Sequence, residues 1–268
     1  MQPPLNLQVR TTLSACKKTV PFIKHNRLWQ DFGQIKWIAR IFTAAGVLLA
    51  LQFLKAFEFW KFTPFNPNAL ANAGANLSHI GSNLYQQMAD MYTGGYKYLV
   101  LICMQALIGH FGGKTSYLLN QISYEPTFKS YLHDQWRIIK VSGLSWVSEI
   151  FYGALAAALL GVVQLSLLEQ PVSLLIQCYL LGFTIADVYG AHHGMSIMQS
   201  YRFVKGYAPV LVILGAVYYL LLLLPVAGAP VGAIFCTVAV LLTMNLLANP
   251  QPMPPAVPVT PQNQPHEQ

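Results

Sequence analysis

The sequence predicts an all-α integral membrane protein, and its composition and one long apolar region carry that prediction. Hydrophobic residues make up 54% of the 268-residue chain and charged residues only 9%, whereas soluble domains carry about 25% charged residues. Residues 171–248 form two apolar hairpins whose only charged residues are Asp187, Arg202 and Lys205. Helices with so much uninterrupted apolar surface need a lipid bilayer as their solvent. We therefore expect about four to six apolar helices.

Three regions follow one another along the chain. Residues 1–34 are basic and partly amphipathic, and we expect them to lie at the membrane surface. Residues 35–248 are predicted to form one helical membrane domain. Residues 249–268 contain seven prolines and no apolar face, which predicts a disordered tail.

Six apolar segments are predicted within the membrane domain, at about 35–57, 96–111, 141–168, 171–190, 207–224 and 231–248. A polar or interfacial stretch at 58–95, a polar connection at 112–140 and a loop at 191–206 separate some of them. Two interpretations of the C-terminal hairpins remain open. Each hairpin crosses the bilayer fully, or it turns back halfway with its tip shielded by protein or a water-filled cavity.

The distribution of basic residues predicts the orientation of the chain. With six crossings, one side holds thirteen Lys and Arg residues, whereas the opposite side holds three, Lys55, Lys61 and Lys97. Because basic residues accumulate on the cytoplasmic side, both termini are predicted to be cytoplasmic. The net charge of +7 is then explained by topology and by anionic lipid head groups, and no nucleic-acid partner is expected.

Two acidic residues in the apolar segments are candidate functional positions. Asp187 ends the fourth segment, and an unpaired buried carboxylate is costly, so we expect Arg202 or Lys205 as its partner. Asp187 is interpreted either as a charge on an ion pathway or gate, or as part of a structural ion pair or helix cap. Glu149 lies about nine residues into the third segment and is either an intramembrane functional acid or a residue of the head-group region.

Other motifs favour ordinary structural roles. His192 and His193 diverge on a helix and have no third ligand nearby, so a solvated loop is favoured over a metal site, and His110 is expected at the interface. No catalytic motif appears, and neither an enzyme nor a cofactor is expected. The small residues of GALAAALLG at 153–161 predict close helix packing, either within the subunit or in a homo-oligomer.

The C-terminal half is similar to a known family. The matching positions are Tyr179, Gly182, Phe183, Asp187, Gly194, Met195, Ser196, Phe203, Gly215, Pro225 and the region of Ala239. On these residues, and on PFIKHNRLWQDF upstream, the chain resembles the bacterial CysZ-type sulfate permease family, whose domain is shared with the etoposide-induced protein 2.4 of animals. The resemblance touches most of residues 15–247. It implies a permease or channel of the bacterial cytoplasmic (inner) membrane that passes a small inorganic anion such as sulfate.

A basic patch near the N-terminus is the candidate substrate-binding site. It contains Lys24, His25, Arg27 and Lys36, and sulfate requires charge-assisted donors and often the exposed amides of a helix N-terminus. A patch that sets topology and binds lipid is an equally good interpretation. Arg27 stands alone where the family carries paired arginines, and His192 and His193 stand where it usually shows arginines. The alternative function is a non-transporting scaffold, stress-related or lipid-interacting protein that shares the domain.

Overall fold

The computed structural model describes residues 3–30, 95–121, 128–162, 168–222 and 227–248, together with positions 44 and 224. Within these residues the fold is all helical, without strands. The helices are α1 Leu5–His25, α2 Tyr96–Cys103, α3 Gln105–Asn120, α4 Phe128–Val162, α5 Glu169–His192, α6 Ile197–Val204, α7 Ala208–Leu222 and α8 Gly228–Ala248, with a short 3₁₀ helix, Lys205–Tyr207, between α6 and α7. Apart from position 44, the predicted apolar segment at 35–57 lies outside the described residues, as do the stretch at 58–94 and the tail at 249–268.

The predicted fold class is confirmed, and the protein is an all-α integral membrane protein. Four helical stretches are long and apolar enough to cross a membrane, namely Leu132–Val162, Glu169–His192, Ile197–Leu222 and Gly228–Ala248. The 24 residues of α5 extend over about 36 Å and the 21 of α8 over about 32 Å, compared with ~30 Å of hydrocarbon. With only 15 residues, α7 reaches that length only together with α6 and the 3₁₀ helix. Full crossing of both hairpins stays a prediction.

The fourth, fifth and sixth predicted segments agree with α5, α7 and α8 to within three residues. The third differs, because α4 begins at Phe128 and not near 141. The polar connection expected at 112–140 is therefore largely helical, since α3 continues to Asn120 and α4 takes up its second half. The first turns of α4 contain polar residues, so the pattern of apolar residues did not predict that the helix begins before 141.

The loop expected at 191–206 is also largely helical, and that prediction is wrong. After a turn at 193–196, where Gly194 has φ +67°, Ser196 caps α6. Gln199 N donates to Ser196 Oγ at 3.3 Å, and Ser196 N donates to Gln199 Oε1 at 2.8 Å. This reciprocal capping box satisfies two backbone donors that would otherwise be left without partners at the start of the helix.

The core forms around α5, which packs against α4, α6, α7 and α8. Two glycines bring the backbones of α5 and α7 into direct contact. A Cβ added at Gly182 would lie 1.9 Å from the carbonyl oxygen of Leu211, and one at Gly215 would lie 1.8 Å from that of Cys178. Only glycine fits at either position, as in closely packed membrane helices.

The N-terminal basic region forms the helix α1, which packs against α7 and α8. Its buried stripe is polar and small, formed by Gln8, Thr12, Ala15 and Thr19. The hydroxyl groups of Thr12 and Thr19 donate to carbonyl groups of their own helix, and Gln8 Nε2 donates to the Gly206 carbonyl at 3.2 Å. Its predicted position at the membrane surface stays a prediction.

The outer flank of α4 is apolar and exposed. Ile150, Phe151, Leu155 and Leu159 are all exposed on it, and a Cβ at Gly153 or Gly161 would meet no described atom within 4 Å. Among the described residues, neither glycine of GALAAALLG is therefore in close contact with another helix. The homo-oligomer alternative stays a prediction.

Candidate functional site

An ion pair between Lys97 and Glu149 is buried where α2, α4 and α5 meet. The two residues are 1% and 8% exposed. Lys97 Nζ lies 2.6 Å from Glu149 Oε1, and the Tyr98 hydroxyl donates to Glu149 Oε2 at 2.7 Å. Lys97 Nζ also donates to Gln177 Oε1 at 3.1 Å. Each carboxylate oxygen thus has a donor. We call these four residues the central cluster.

The start of α2 places both donors of the central cluster. Gly95 precedes the helix with φ +70°, and a Cβ there would lie 2.7 Å from the ring of Trp146. This close approach holds the first turn of α2 against α4, one turn before Glu149. Because Lys97 and Tyr98 belong to that first turn, the partial positive charge of the helix N-terminus adds to the ammonium group in favouring an anion.

Glu149 is buried within the helix bundle, and which of its two predicted depths in the membrane it takes stays a prediction. It lies near the middle of the apolar stretch Leu132–Val162, and its side chain is enclosed by protein. Lys97 was counted among the three basic residues on the outer side of the membrane, and that placement stays a prediction. Its side chain is buried and paired across the bundle, which a count of basic residues along the chain does not reveal.

A second buried ion pair joins Arg137 of α4 to Asp187 of α5. Arg137 Nε lies 2.7 Å from Asp187 Oδ2, and Nη2 lies 2.8 Å from Oδ1, which is a bidentate contact. Arg137 Nη1 also donates to the Met195 carbonyl at 2.5 Å. The guanidinium group therefore connects α4, α5 and the turn before α6. We call these groups the terminal cluster.

The expected partners of Asp187 were wrong. Arg202 and Lys205 are both exposed on the segment that follows α5, whereas Arg137 makes the ion pair. The physical reason is the N-terminal extension of α4, which runs antiparallel to α5 and brings Arg137 beside Asp187. The unusual cost of a lone acid in an apolar helix did indicate correctly that a partner exists.

A neutral contact lies between the two clusters. Thr184 Oγ1 is 3.0 Å from Ser145 Oγ, with both side chains buried. Ten residues separate Gln177 from Asp187 on α5, which places the clusters about 15 Å apart along the helix. Polar contacts thus join α4 directly to α5 at two levels, and at the central cluster the connection runs through Lys97 of α2.

The basic patch proposed for substrate binding lies elsewhere, at the end of α1. Lys24 and Arg27 are exposed, and Arg27 has φ +47° in the turn that ends the helix. The buried Leu28 follows, and its carbonyl oxygen lies 3.1 Å from His110 Nε2 on α3. A helix C-terminus presents carbonyl groups and a partial negative charge. The described part of the patch, which ends before Lys36, therefore lacks the helix amides expected for sulfate.

The histidines at the end of α5 are half-buried, so the solvated loop expected for them is wrong. His193 stacks on Tyr189 with ring centroids 4.0 Å apart, and its Nδ1 lies 2.8 Å from the Tyr189 carbonyl oxygen. His192 packs so closely against α3 that a Cβ at Gly112 would lie 2.9 Å from its Nε2. Among the described residues, no group of three His, Cys, Asp or Glu residues could hold a metal ion.

Glu149 and Asp187 were predicted from the sequence, whereas the roles of Lys97, Tyr98, Gln177 and Arg137 were not. A requirement that each intramembrane acid be paired would have directed attention to Lys97 and Arg137, the basic residues near the ends of other apolar segments. Comparisons of the chain with models of protein families, with curated proteins and with solved structures find no match. The membrane fold and its two buried ion pairs are therefore the basis for assigning a function.

Proposed function

We propose that the protein is a permease or channel that passes a small inorganic anion across the membrane, with sulfate as the first substrate to test. The observation that carries this proposal is the central cluster, an ion pair of Lys97 and Glu149 enclosed by membrane helices. Ionisable side chains are expensive in a bilayer and typically mark an ion pathway or a substrate site. A buried ammonium group is the element that an anion pathway requires.

Sulfate and the cellular location come from the sequence resemblance. The motif around Gly182, Asp187 and Gly194 resembles the CysZ-type permeases, which supports the bacterial cytoplasmic membrane as the location and sulfate as the substrate. The excess of basic residues on one side supports cytoplasmic termini. Lys24 and Arg27 would then form an exposed basic surface on the cytoplasmic side, suited to attract anions or anionic lipids.

A non-transporting scaffold or lipid-interacting protein is the second candidate, and one observation favours it. The exposed flank of α4 carries large apolar side chains together with GALAAALLG, as expected of a surface that contacts lipid or another membrane helix. In that case both buried ion pairs serve only to fix α4 against its neighbours.

Uptake of radiolabelled sulfate into liposomes containing the purified protein distinguishes the two candidates. A permease should accelerate uptake over protein-free liposomes, and Lys97→Met should reduce that uptake at equal protein content, because it removes the buried cation. Uptake equal to that of empty liposomes for sulfate, phosphate and chloride, with the protein folded and monodisperse, would favour the scaffold.

The same assay tests the role of the basic patch. If Lys24 and Arg27 capture the anion, their joint replacement by glutamine should lower the uptake rate at low sulfate concentration. The matched control replaces Lys17 and Lys18, two charged residues of the same helix, by glutamine. Equal uptake by both double variants would assign the patch to topology and lipid binding.

A further inference from the structure

We infer that the carboxylate of Glu149 occupies an anion-binding subsite formed by Lys97 and Tyr98, and that a permeating oxyanion takes its place. The inference depends on the proposed function in one respect only, namely that the anion bound at this subsite is one that crosses the membrane. The binding subsite itself follows from the arrangement of donors in the central cluster.

The donors are arranged for an oxyanion in general. Two successive residues of α2 each donate to a different oxygen of one carboxylate, Lys97 at 2.6 Å and Tyr98 at 2.7 Å. A tetrahedral oxyanion such as sulfate presents pairs of oxygens to the same kind of donors. A charged donor strengthens such a contact in a buried site, and the N-terminal turn of α2 adds its partial positive charge.

The ammonium group keeps a protein partner when the carboxylate is displaced. Gln177 Oε1, on α5, accepts a hydrogen bond from Lys97 Nζ at 3.1 Å. The amide of Gln177 carries no charge that would repel an incoming anion. Gln177 therefore holds Lys97 in place while its counter-ion is exchanged.

Exchange replaces one anion beside Lys97 by another. Glu149 becomes neutral by taking up a proton, and the arriving anion then supplies the negative charge beside Lys97. Among the described residues, the ionisable groups that act on Glu149 are Lys97 and Tyr98 from α2 and Cys178 from α5. Of these groups, Lys97 is the one that pairs with the carboxylate as a cation, so the carboxylate and the external anion compete for its ammonium group.

Glu149→Gln tests the subsite, because it removes the competing negative charge and retains the shape of the side chain. Binding of radiolabelled sulfate to the detergent-purified full chain is expected to become about tenfold tighter than in the wild type, equivalent to one charge-assisted hydrogen bond. Sulfate should also raise the unfolding temperature of this variant more than that of the wild type. The double variant Lys97→Gln with Glu149→Gln should lose both effects, and Tyr98→Phe in the Glu149→Gln background should weaken binding.

A double variant of the terminal cluster, Arg137→Gln with Asp187→Asn, is the matched control and should leave sulfate binding unchanged. Sulfate binding by Glu149→Gln that equals wild-type binding, or that persists without Lys97, would overturn the inference. Sulfate uptake by the wild type in that case would leave the proposed function standing. Conversely, Lys97-dependent binding by Glu149→Gln without uptake by any variant would support the subsite and contradict the permease.

Discussion

The two buried ion pairs share helix α4 and differ in the second helix, in their exposure and in the cation. Arg137 and Asp187 face each other directly across α4 and α5, with side chains 14% and 6% exposed. The central cluster involves a third helix, because Lys97 comes from α2, and its charged side chains are only 1% and 9% exposed. The Arg137–Asp187 pair is therefore partly accessible to solvent, whereas the Lys97–Glu149 pair is enclosed by protein.

The chemistry of the two cations explains what each pair can do. The guanidinium group of Arg137 is planar, permanently charged and bound to both oxygens of Asp187, which suits a fixed connection. The ammonium group of Lys97 is a point charge that occupies one oxygen of Glu149 and leaves the other to the neutral Tyr98. Such a pair can exchange its anion without rearranging the helices. We therefore regard the terminal cluster as a fixed connection between α4 and α5, and the central cluster as the site at which an anion is exchanged.

The largest effect is expected when one partner of the central cluster is removed. Lys97→Met leaves the carboxylate of Glu149 buried without its cation, which typically costs about 3–5 kcal/mol of unfolding free energy. The double variant Lys97→Met with Glu149→Met should recover most of that loss, because no charge remains to be buried. Equilibrium unfolding in mixed detergent micelles measures both. Equal destabilisation by the single and double variants would show that packing, and not the ion pair, is what the substitutions disturb.

A smaller effect is expected at the terminal cluster. Arg137→Lys keeps the charge but loses the bidentate contact and the bond to the Met195 carbonyl, at a cost of about 1.5–3 kcal/mol for hydrogen bonds to a charged group. The turn at 193–196 should also become more sensitive to limited proteolysis. Arg202→Lys is the matched control and should change stability by less than about 0.5 kcal/mol, because Arg202 is exposed. A larger loss for Arg202→Lys would restore Arg202 as the partner of Asp187.

The sequence predicted the parts of the fold that depend on local pattern. The apolar runs of α5, α7 and α8 are bounded by charged or turn-forming residues such as Glu169, Pro225 and Gly228, so their positions follow from hydrophobicity alone. The start of α4 does not follow from hydrophobicity, because its first turns are polar. For the same reason Arg137, which lies in those turns, was not predicted as the partner of Asp187.

The central cluster depends on contacts that no local pattern contains. Lys97 and Glu149 are 52 residues apart in the chain, and Gln177 is 80 residues from Lys97. A lysine at the start of an apolar segment is usually a flanking residue that reaches the interface. Only the crossing of α2 with α4, fixed by the close contact of Gly95 with Trp146, turns Lys97 into the buried partner of an acid.

The smallest effect is expected at the neutral contact between the clusters. Thr184→Val removes the contact with Ser145 Oγ and also the bond from Thr184 Oγ1 to the Leu180 carbonyl at 3.0 Å. Interhelical hydrogen bonds of this kind in membrane proteins average about 0.6 kcal/mol. Thr243→Val in α8 is the matched control, because Thr243 is equally buried and donates only to the Ala239 carbonyl of its own helix. The difference in unfolding free energy between the two variants isolates the interhelical contact. A difference in unfolding free energy as large as the loss caused by Lys97→Met would mean that the neutral contact holds α4 to α5 as strongly as the buried charges stabilise the bundle.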